Sequence, residues 1–428
     1  MPPIDTPPSR SCSLMFKQLK LIAAIGTASG IQVFLLALLS LLLAKFLPIE
    51  DFGITRTITA YMVILTMLGH FCLHDAVATY VASAEDTDKS IPYVVNGSYM
   101  TVAISIAVVI IAEIFILFSG LWQGKLRMTF AIITAYLPLL SLTTIFSSLL
   151  QATGSYRKLT IYLLLGGVVP LLVITPFTAL WELGGWIFSR GLSCVILLAF
   201  SFFFIRHYFR FSKADSKVGR ILFAFAKVQL VSGILSMVMQ SADIIAIERF
   251  GGDMKQVAIY GLAALFGKSV MFLPGAVGRV FFKDIAEAKT RDKTIGGIKN
   301  LFLIIILLCA VIATALFFVV PVFIDLLYGA KYKNSIPVLR IMCFGIVFSG
   351  IWMALSVVNV ALKQPKAAVA ISTVGVIICL LSMFILVPRY GAVGAAWGMN
   401  IAYFGGASVG AWLLYRFLSH DMGKSPTY

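Results

Sequence analysis

The sequence predicts an all-α membrane protein with twelve transmembrane helices, arranged as two six-helix bundles related by a pseudo-two-fold axis. Of its 428 residues, 60% are hydrophobic and only 12% are charged, with a mean hydropathy of +0.98. Soluble domains carry about 25% charged residues. The apolar runs are long enough to cross a hydrocarbon layer, which takes ~20 helical residues. Short landmarks recur along the chain at one constant spacing, which predicts the two related halves.

Helices rather than strands are predicted because the runs are apolar on every side. The segment 301–320 is an example, with the sequence LFLIIILLCAVIATALFFVV. Strands of a membrane barrel alternate apolar and polar positions over ~10 residues. A helix satisfies its backbone hydrogen bonds internally, as hydrocarbon requires.

The predicted helices follow the apolar runs in order, with short polar intervals between them. Their expected limits are 21–44, 57–79, 93–118, 128–150, 159–180, 185–205, 221–247, 257–280, 300–324, 336–360, 367–387 and 393–416. The chain then divides into an N-terminal tail that we expect to be disordered (1–20), a first bundle (21–206), a basic linker (207–220), a second bundle (221–417) and a C-terminal tail (418–428).

Basic residues predict the orientation. With the tails and the even-numbered loops taken as one side, that side holds 22 of the 34 Lys and Arg residues, and the odd-numbered loops hold 10. The basic side of a membrane protein faces the cytoplasm. We therefore expect both termini in the cytoplasm. The net charge of +16 reflects this bias, and we expect no nucleic-acid partner.

Two landmarks indicate that the halves are parallel repeats. Phe52-Gly53 after the first helix resembles Tyr260-Gly261 after the seventh, and the turn 151–158 resembles the turn 359–366. Both pairs are 208 positions apart. A repeat of this kind predicts a pathway at the interface of the halves.

Two basic residues lie inside predicted helices, Arg190 in the sixth and Lys268 in the eighth. Charges inside a membrane usually face a cavity or a partner. One interpretation is a hydrated cavity that attracts a phosphate-bearing head group, since Arg grips phosphate with two hydrogen bonds and Lys attracts it as a point charge. The other is an internal ion pair, such as Lys268 with Asp243, that only joins two helices.

Acidic residues give three candidates for coupling to protons or sodium: Asp243, Glu113 and Asp75. For Asp243 and the nearby Glu248 the stronger interpretation is that they are boundary residues at the membrane surface, and Glu113 could pair with a basic neighbour. Asp75 follows two histidines at helical spacing, but the polar end of a helix explains that group as well as a metal does. We predict no metal, no disulfide framework among the six scattered cysteines and no catalytic constellation, so we do not expect an enzyme.

Three segments carry a resemblance to a known family. They are 44-AKFLPIEDFG-53, 243-DIIAIERFGGDMKQVAIYGLAALF-266, and 325-DLLYGAKYKNSIPVLRIM-342 followed by 388-PRYGAVGAAWG-398. With the twelve-helix layout, they resemble the polysaccharide-unit (O-antigen or exopolysaccharide) flippases of the multidrug/oligosaccharidyl-lipid/polysaccharide exporter superfamily. One departure is Phe282-Lys283, where many relatives have a proline.

The resemblance implies two six-helix bundles around a cationic cavity, and alternating access. It implies that the protein lies in the bacterial inner membrane and flips a polyprenyl-pyrophosphate-linked oligosaccharide for O-antigen, capsule or exopolysaccharide synthesis. Membrane lipid, a polysaccharide polymerase and chain-length machinery are the implied partners, with no cofactor beyond a coupling proton or sodium ion. The alternative is an ion-coupled multidrug or cation antiporter of the same fold, which the buried basic residues disfavour. A membrane enzyme would need a larger external loop than the sequence contains.

Overall fold

The computed structural model describes residues 9–84, 87–120, 122–208, 215–270, 272–286, 290–362 and 364–421. These residues form thirteen α-helices joined by short turns, and no strand occurs among them. The helices are α1 Ser9–Phe46, α2 Ile49–His70, α3 Leu73–Ala82, α4 Thr87–Phe118, α5 Gly124–Thr134, α6 Leu137–Ala152, α7 Tyr156–Ile205, α8 Ser216–Phe250, α9 Met254–Ser269, α10 Phe272–Ala286, α11 Arg291–Tyr328, α12 Ser335–Ala361 and α13 Pro365–Arg416.

The apolar helices are long enough for a multi-pass membrane protein. Eight of the described helical segments can cross a membrane by length and composition, and ten can if each bent pair counts as one span. One bent pair is α5 with α6, which meet at 45° just before Pro138. Twelve spans remain a prediction, and the two longest of the eight segments have 50 and 51 residues, where one crossing needs ~20.

These two long helices, α7 and α13, each fold back on themselves. The backbone leaves helical geometry at Glu182 (φ 49°, ψ −129°) in α7 and at Gly391 (φ 54°, ψ −128°) in α13. Beyond each turn the arms touch, because a Cβ on Gly185 or Gly394 would overlap the backbone carbonyl of the residue eight positions earlier. Glu182 and Gly391 are 209 positions apart, as are Gly185 and Gly394. The equal spacing confirms the two related halves.

Two helices begin earlier than their apolar runs. The structure starts α1 at Ser9, so the part of the expected tail that is described, 9–20, is helical rather than disordered. It starts α2 at Ile49, eight residues before the predicted limit, because the acidic residues of its first turn favour a helix N-terminus. Much of the predicted linker (209–214) and of the predicted C-terminal tail (422–428) lies outside the described residues.

Buried apolar side chains form three clusters. The largest, which we call the joint core, takes residues from both halves near the odd-numbered loops, including Leu47 and Phe52 of the first half and Tyr332 of the second. The Phe52 and Tyr332 rings meet edge to face at 6.0 Å. At the opposite end each half has its own cluster, around Leu149 in the first half and around Leu355 in the second. The halves are therefore joined at one end, which we call the closed end, and have separate cores at the other.

Helix α8 is shared between the halves. Its first part packs on the first half, where Leu222 and Ala226 belong to the same cluster as Leu149. The helix bends by 41° between the segments 216–231 and 233–250, and its second part supplies Ile247 to the joint core. The division at 207–220 remains a prediction, and the packing boundary lies within α8.

Polar contacts reinforce the closed end. The ammonium of Lys331 donates to the carbonyls of Ala44 (2.9 Å) and Leu47 (2.5 Å), and the Tyr328 hydroxyl donates to the carbonyl of Leu41 (2.9 Å). The last carbonyls of a helix have no partner within it and attract cations. Residues of the second half thus cap the C-terminal end of α1, which belongs to the first.

A second contact across the halves surrounds Glu248, which is only 5% exposed. Its carboxylate accepts from the Tyr61 hydroxyl (2.9 Å) and from the Trp122 indole N–H (3.0 Å), both in the first half. Arg249 pairs with Glu248 (3.1 Å) and lies over the Trp122 ring. Glu248 is therefore a buried, fully hydrogen-bonded residue rather than the surface residue that its position suggested.

Candidate functional site

A buried carboxylate lies at the contact between the halves. Asp243 of α8 has no exposed surface, and the Tyr260 hydroxyl of α9 donates to its Oδ2 at 2.6 Å. Its Oδ1 accepts from the backbone N–H of Ile244 at 2.9 Å. A buried charge is costly unless it is paired and hydrogen-bonded. Asp243 meets that condition through residues of the second half.

The partner charge is Lys268, near the end of α9. Its ammonium lies 2.5 Å from Asp243 Oδ2 and donates to the carbonyl of Gln240 at 2.8 Å. The Lys268 side chain is 28% exposed, and it lines a cavity of about 20 Å³ with Asn400 and Tyr403. Such a cavity holds about one water molecule. The pair that the sequence suggested as an alternative is therefore formed.

A second cation faces Asp243 from the first half. Arg56 of α2 is half-buried, and its guanidinium lies within electrostatic range of Asp243. It packs over Gly261, where a Cβ would lie 2.8 Å from Arg56 Cγ and 3.2 Å from Nε. Thus Tyr260 holds the carboxylate and the next residue, a glycine, leaves room for the arginine.

Arg56 is not neutralised by a direct ion pair. Its Nε is buried without a hydrogen bond, and the guanidinium forms no ion pair with any described residue. Two cations and one carboxylate leave an excess of one positive charge between the halves. A guanidinium and an ammonium on different helices are suited to a phosphate or diphosphate.

A family model described as "Polysaccharide biosynthesis protein" matches residues 42–337. The chain belongs to this polysaccharide biosynthesis family. The match begins at the end of α1 and ends within α12, so it includes Arg56, Asp243 and Lys268. The resemblance drawn from the sequence motifs is confirmed.

Three proteins that resemble this chain have the names of transport proteins. A protein of Shigella flexneri called "Putative O-antigen transporter" is 23% identical over 309 residues, which are 70% of this chain and 73% of that one. Among solved structures, the lipid II flippase MurJ in an inward closed conformation has a TM-score of 0.73 at 16% identity, covering 93% of this chain and 87% of MurJ. An inward-facing multidrug resistance MATE transporter of the MOP superfamily has a TM-score of 0.75 at 14% identity, covering 93% and 96%. These likenesses establish the two-bundle fold.

The other predicted cation lies apart from the site. Arg190 is half-buried in the second arm of α7, close to Cys194. It forms no hydrogen bond or ion pair with Asp243, Lys268 or any other residue that the structure describes. Its role in substrate binding remains a prediction.

The remaining coupling candidates also lie apart from Asp243. Glu113 lines a peripheral cavity beside Arg127. Asp75 is 47% exposed and lies 3.4 Å from His74 Nε2. No group of three His, Cys, Asp or Glu side chains in the described part of the chain could hold a metal ion. The three coupling assignments remain predictions, and only Asp243 lies beside other charged residues of both halves.

Sequence reasoning missed Arg56, because it placed this residue in the first loop. A signal was available. The segment Ile49–His70 is apolar enough to cross a membrane even with its charges included.

Proposed function

We propose that this protein flips polyprenyl-pyrophosphate-linked oligosaccharide repeat units across the bacterial cytoplasmic membrane for surface polysaccharide synthesis. The polysaccharide biosynthesis family and the named O-antigen transporter relative support a lipid-linked glycan as the substrate. The diphosphate would bind the cations between the halves, and the polyprenyl tail would stay in the lipid. The two bundles would then rock to alternate access between the leaflets.

The observation that carries the proposal is the positive charge without a direct ion pair at Arg56, beside the Asp243–Lys268 pair. A transporter of hydrophobic cations would place an excess of negative charge there. Asp243 is also the best of the three coupling candidates, because a diphosphate that attracts Lys268 would free this carboxylate for a proton or sodium ion.

The orientation follows from the basic residues. If the tails and even-numbered loops face the cytoplasm, the closed end faces outward and the separated cores face inward. The MurJ and MATE structures compared above are both described as inward conformations, which is in keeping with this orientation. Loading from the cytoplasmic leaflet would then come first.

A leaflet-resolved assay tests the proposal. The protein is reconstituted with purified polyprenyl-pyrophosphate-linked oligosaccharide, and the fraction of glycan that reaches the opposite leaflet is measured. We expect Arg56→Gln to reduce flipping about tenfold, the effect of losing one charge-assisted contact. Arg389→Gln is the matched control, because Arg389 is exposed and outside the site.

Lys268 needs a paired variant. Lys268→Gln alone would leave Asp243 buried without its partner, so Lys268→Gln is combined with Asp243→Asn. Arg190→Gln tests the remaining cation. Normal flipping in the Arg56 variant and in the double variant, at equal protein amounts, would contradict the proposal. Uptake of cationic drugs without glycan flipping would favour the antiporter instead.

A further inference from the structure

A second cavity lies at the periphery of the closed end, beside the joint core, to which one of its lining residues, Ile116, belongs. It has a volume of about 490 Å³ and opens between the last turns of α4 and the first turns of α5. Its lining is apolar except for one acidic and one basic residue: Glu113, Ile114, Ile116, Leu117, Gly124, Arg127, Met128 and Ala131.

Glu113 is an unpartnered carboxylate on a lipid-facing surface. Its Oε1 is buried and accepts no hydrogen bond. The surrounding turns of α4 carry exposed apolar side chains, with Ile114 52% exposed, Leu117 59% and Phe118 80%. A carboxylate in such surroundings is costly unless a donor reaches it. No described residue supplies that donor, and at a lipid-exposed face the head group of a lipid can supply it.

Arg127 provides the opposite charge in the same cavity. It is half-buried on the second turn of α5, where Gly124 begins the helix. It forms no hydrogen bond or ion pair with a described residue, and its guanidinium is more than 4.0 Å from the Glu113 carboxylate. The cavity therefore presents two separated, opposite charges next to a lipid-exposed helix face.

We propose that this cavity binds the head group of an aminophospholipid, with phosphatidylethanolamine as the occupant. Its primary ammonium would donate to Glu113, and its phosphate would accept from the Arg127 guanidinium in a bidentate geometry. The acyl chains would lie along the exposed apolar face of α4. A choline head group has no N–H to donate, and a glycerol head group has no positive charge for Glu113.

The proposal does not depend on the flippase activity, because it is tested by binding. The protein is reconstituted in bilayers of equal parts phosphatidylethanolamine and phosphatidylcholine, with a constant fraction of phosphatidylglycerol. The protein is then extracted from the bilayer with its bound lipids, and the retained lipids are identified by native mass spectrometry. We expect retained phosphatidylethanolamine to exceed phosphatidylcholine about tenfold, because only the ethanolamine ammonium makes the charge-assisted contact with Glu113.

Two substitutions, each of which removes one charge, separate the contacts. Glu113→Gln should abolish the preference for the ethanolamine head group, and Arg127→Gln should lower the amount of both retained phospholipids. Asp325→Asn is the matched control, because Asp325 is an exposed acid near the closed end and outside the cavity.

Three results would overturn the proposal. The first is equal retention of the two lipids by the unchanged protein. The second is a preference that survives Glu113→Gln. The third is an equal loss of thermal stability in both single variants whatever the lipid, which would show that Glu113 and Arg127 pair directly with each other in the membrane.

Discussion

Glu182 and Gly391 have nearly the same backbone conformation, with φ of 49° and 54° and ψ of −129° and −128°. Each lies at the point where a long helix reverses, and they are 209 positions apart. Glycine adopts this left-handed conformation freely, but a side chain makes it costly by about 1–3 kcal/mol. One half of the protein therefore carries strain at a position where the other half has none.

Replacing Glu182 with glycine should relieve that strain. We expect Glu182→Gly to raise the free energy of unfolding by about 1 kcal/mol. Denaturation in detergent measures the change. Glu182→Ala is the control, because it removes the exposed carboxylate and keeps the strained backbone. A gain of equal size in the alanine variant would show that charge rather than conformation is responsible.

The Asp243–Lys268 pair should show strong energetic coupling. Lys268→Met leaves a fully buried carboxylate without its ammonium, and we expect a loss of about 3 kcal/mol, the lower end for a broken buried pair because Lys268 is 28% exposed. Adding Asp243→Asn should restore most of the lost stability. A double-mutant cycle, measured by chemical unfolding, isolates the interaction. Additive losses would mean that the two charges act independently.

Removing the cap on α1 should loosen the closed end. Lys331→Met deletes the ammonium that binds the carbonyls of Ala44 and Leu47. A charged hydrogen bond at a helix C-terminus contributes about 1 kcal/mol, so the opened population should rise about fivefold. Spin labels at Gln123 and Asn334, one on each half, would report longer distances by pulsed electron resonance.

The neighbouring Lys333 provides the control for this change. It is exposed, and Lys333→Met should leave the distance distribution unchanged. Equal distributions in all three proteins would show that the joint core alone keeps this end closed.

The two landmark glycines should differ in their tolerance of alanine. A Cβ on Gly53 would overlap the backbone carbonyl of Met254, which cannot move without shifting α9. A Cβ on Gly261 would meet the flexible side chain of Arg56 instead. We expect Gly53→Ala to cost about 2–3 kcal/mol and Gly261→Ala about 1 kcal/mol. Thermal unfolding of both variants measures the difference, and equal costs would contradict the observed packing.

The helical content and the two related halves could be predicted because composition and run length decide them. The turns at Glu182 and Gly391 fall in the predicted gaps between helices 5 and 6 and between helices 11 and 12. The start of α2 could not be located from apolar runs, since its first turns contain Glu50, Asp51 and Arg56. The resulting error concealed one cation of the site.

The site itself was only partly predictable. Asp243 and Lys268 were recognised because a charge inside an apolar run is conspicuous. Their pairing was one of two alternatives, and the choice depends on how α8 lies against α9, which local sequence does not determine. Glu248 was read as a surface residue because its partners, Tyr61 and Trp122, are more than 120 positions away in the chain.

The sharing of α8 affects how this protein can be divided in the laboratory. A division at the basic loop would leave Leu222 and Ala226 on the second fragment. The first fragment would then expose the apolar surface against which these two residues pack. Such fragments should aggregate unless they are made together. A cut in the loop before α9 keeps α8 with its first-half neighbours, at the cost of parting Asp243 from Lys268. The two fragment pairs, if co-expressed, would therefore reassemble through different surfaces.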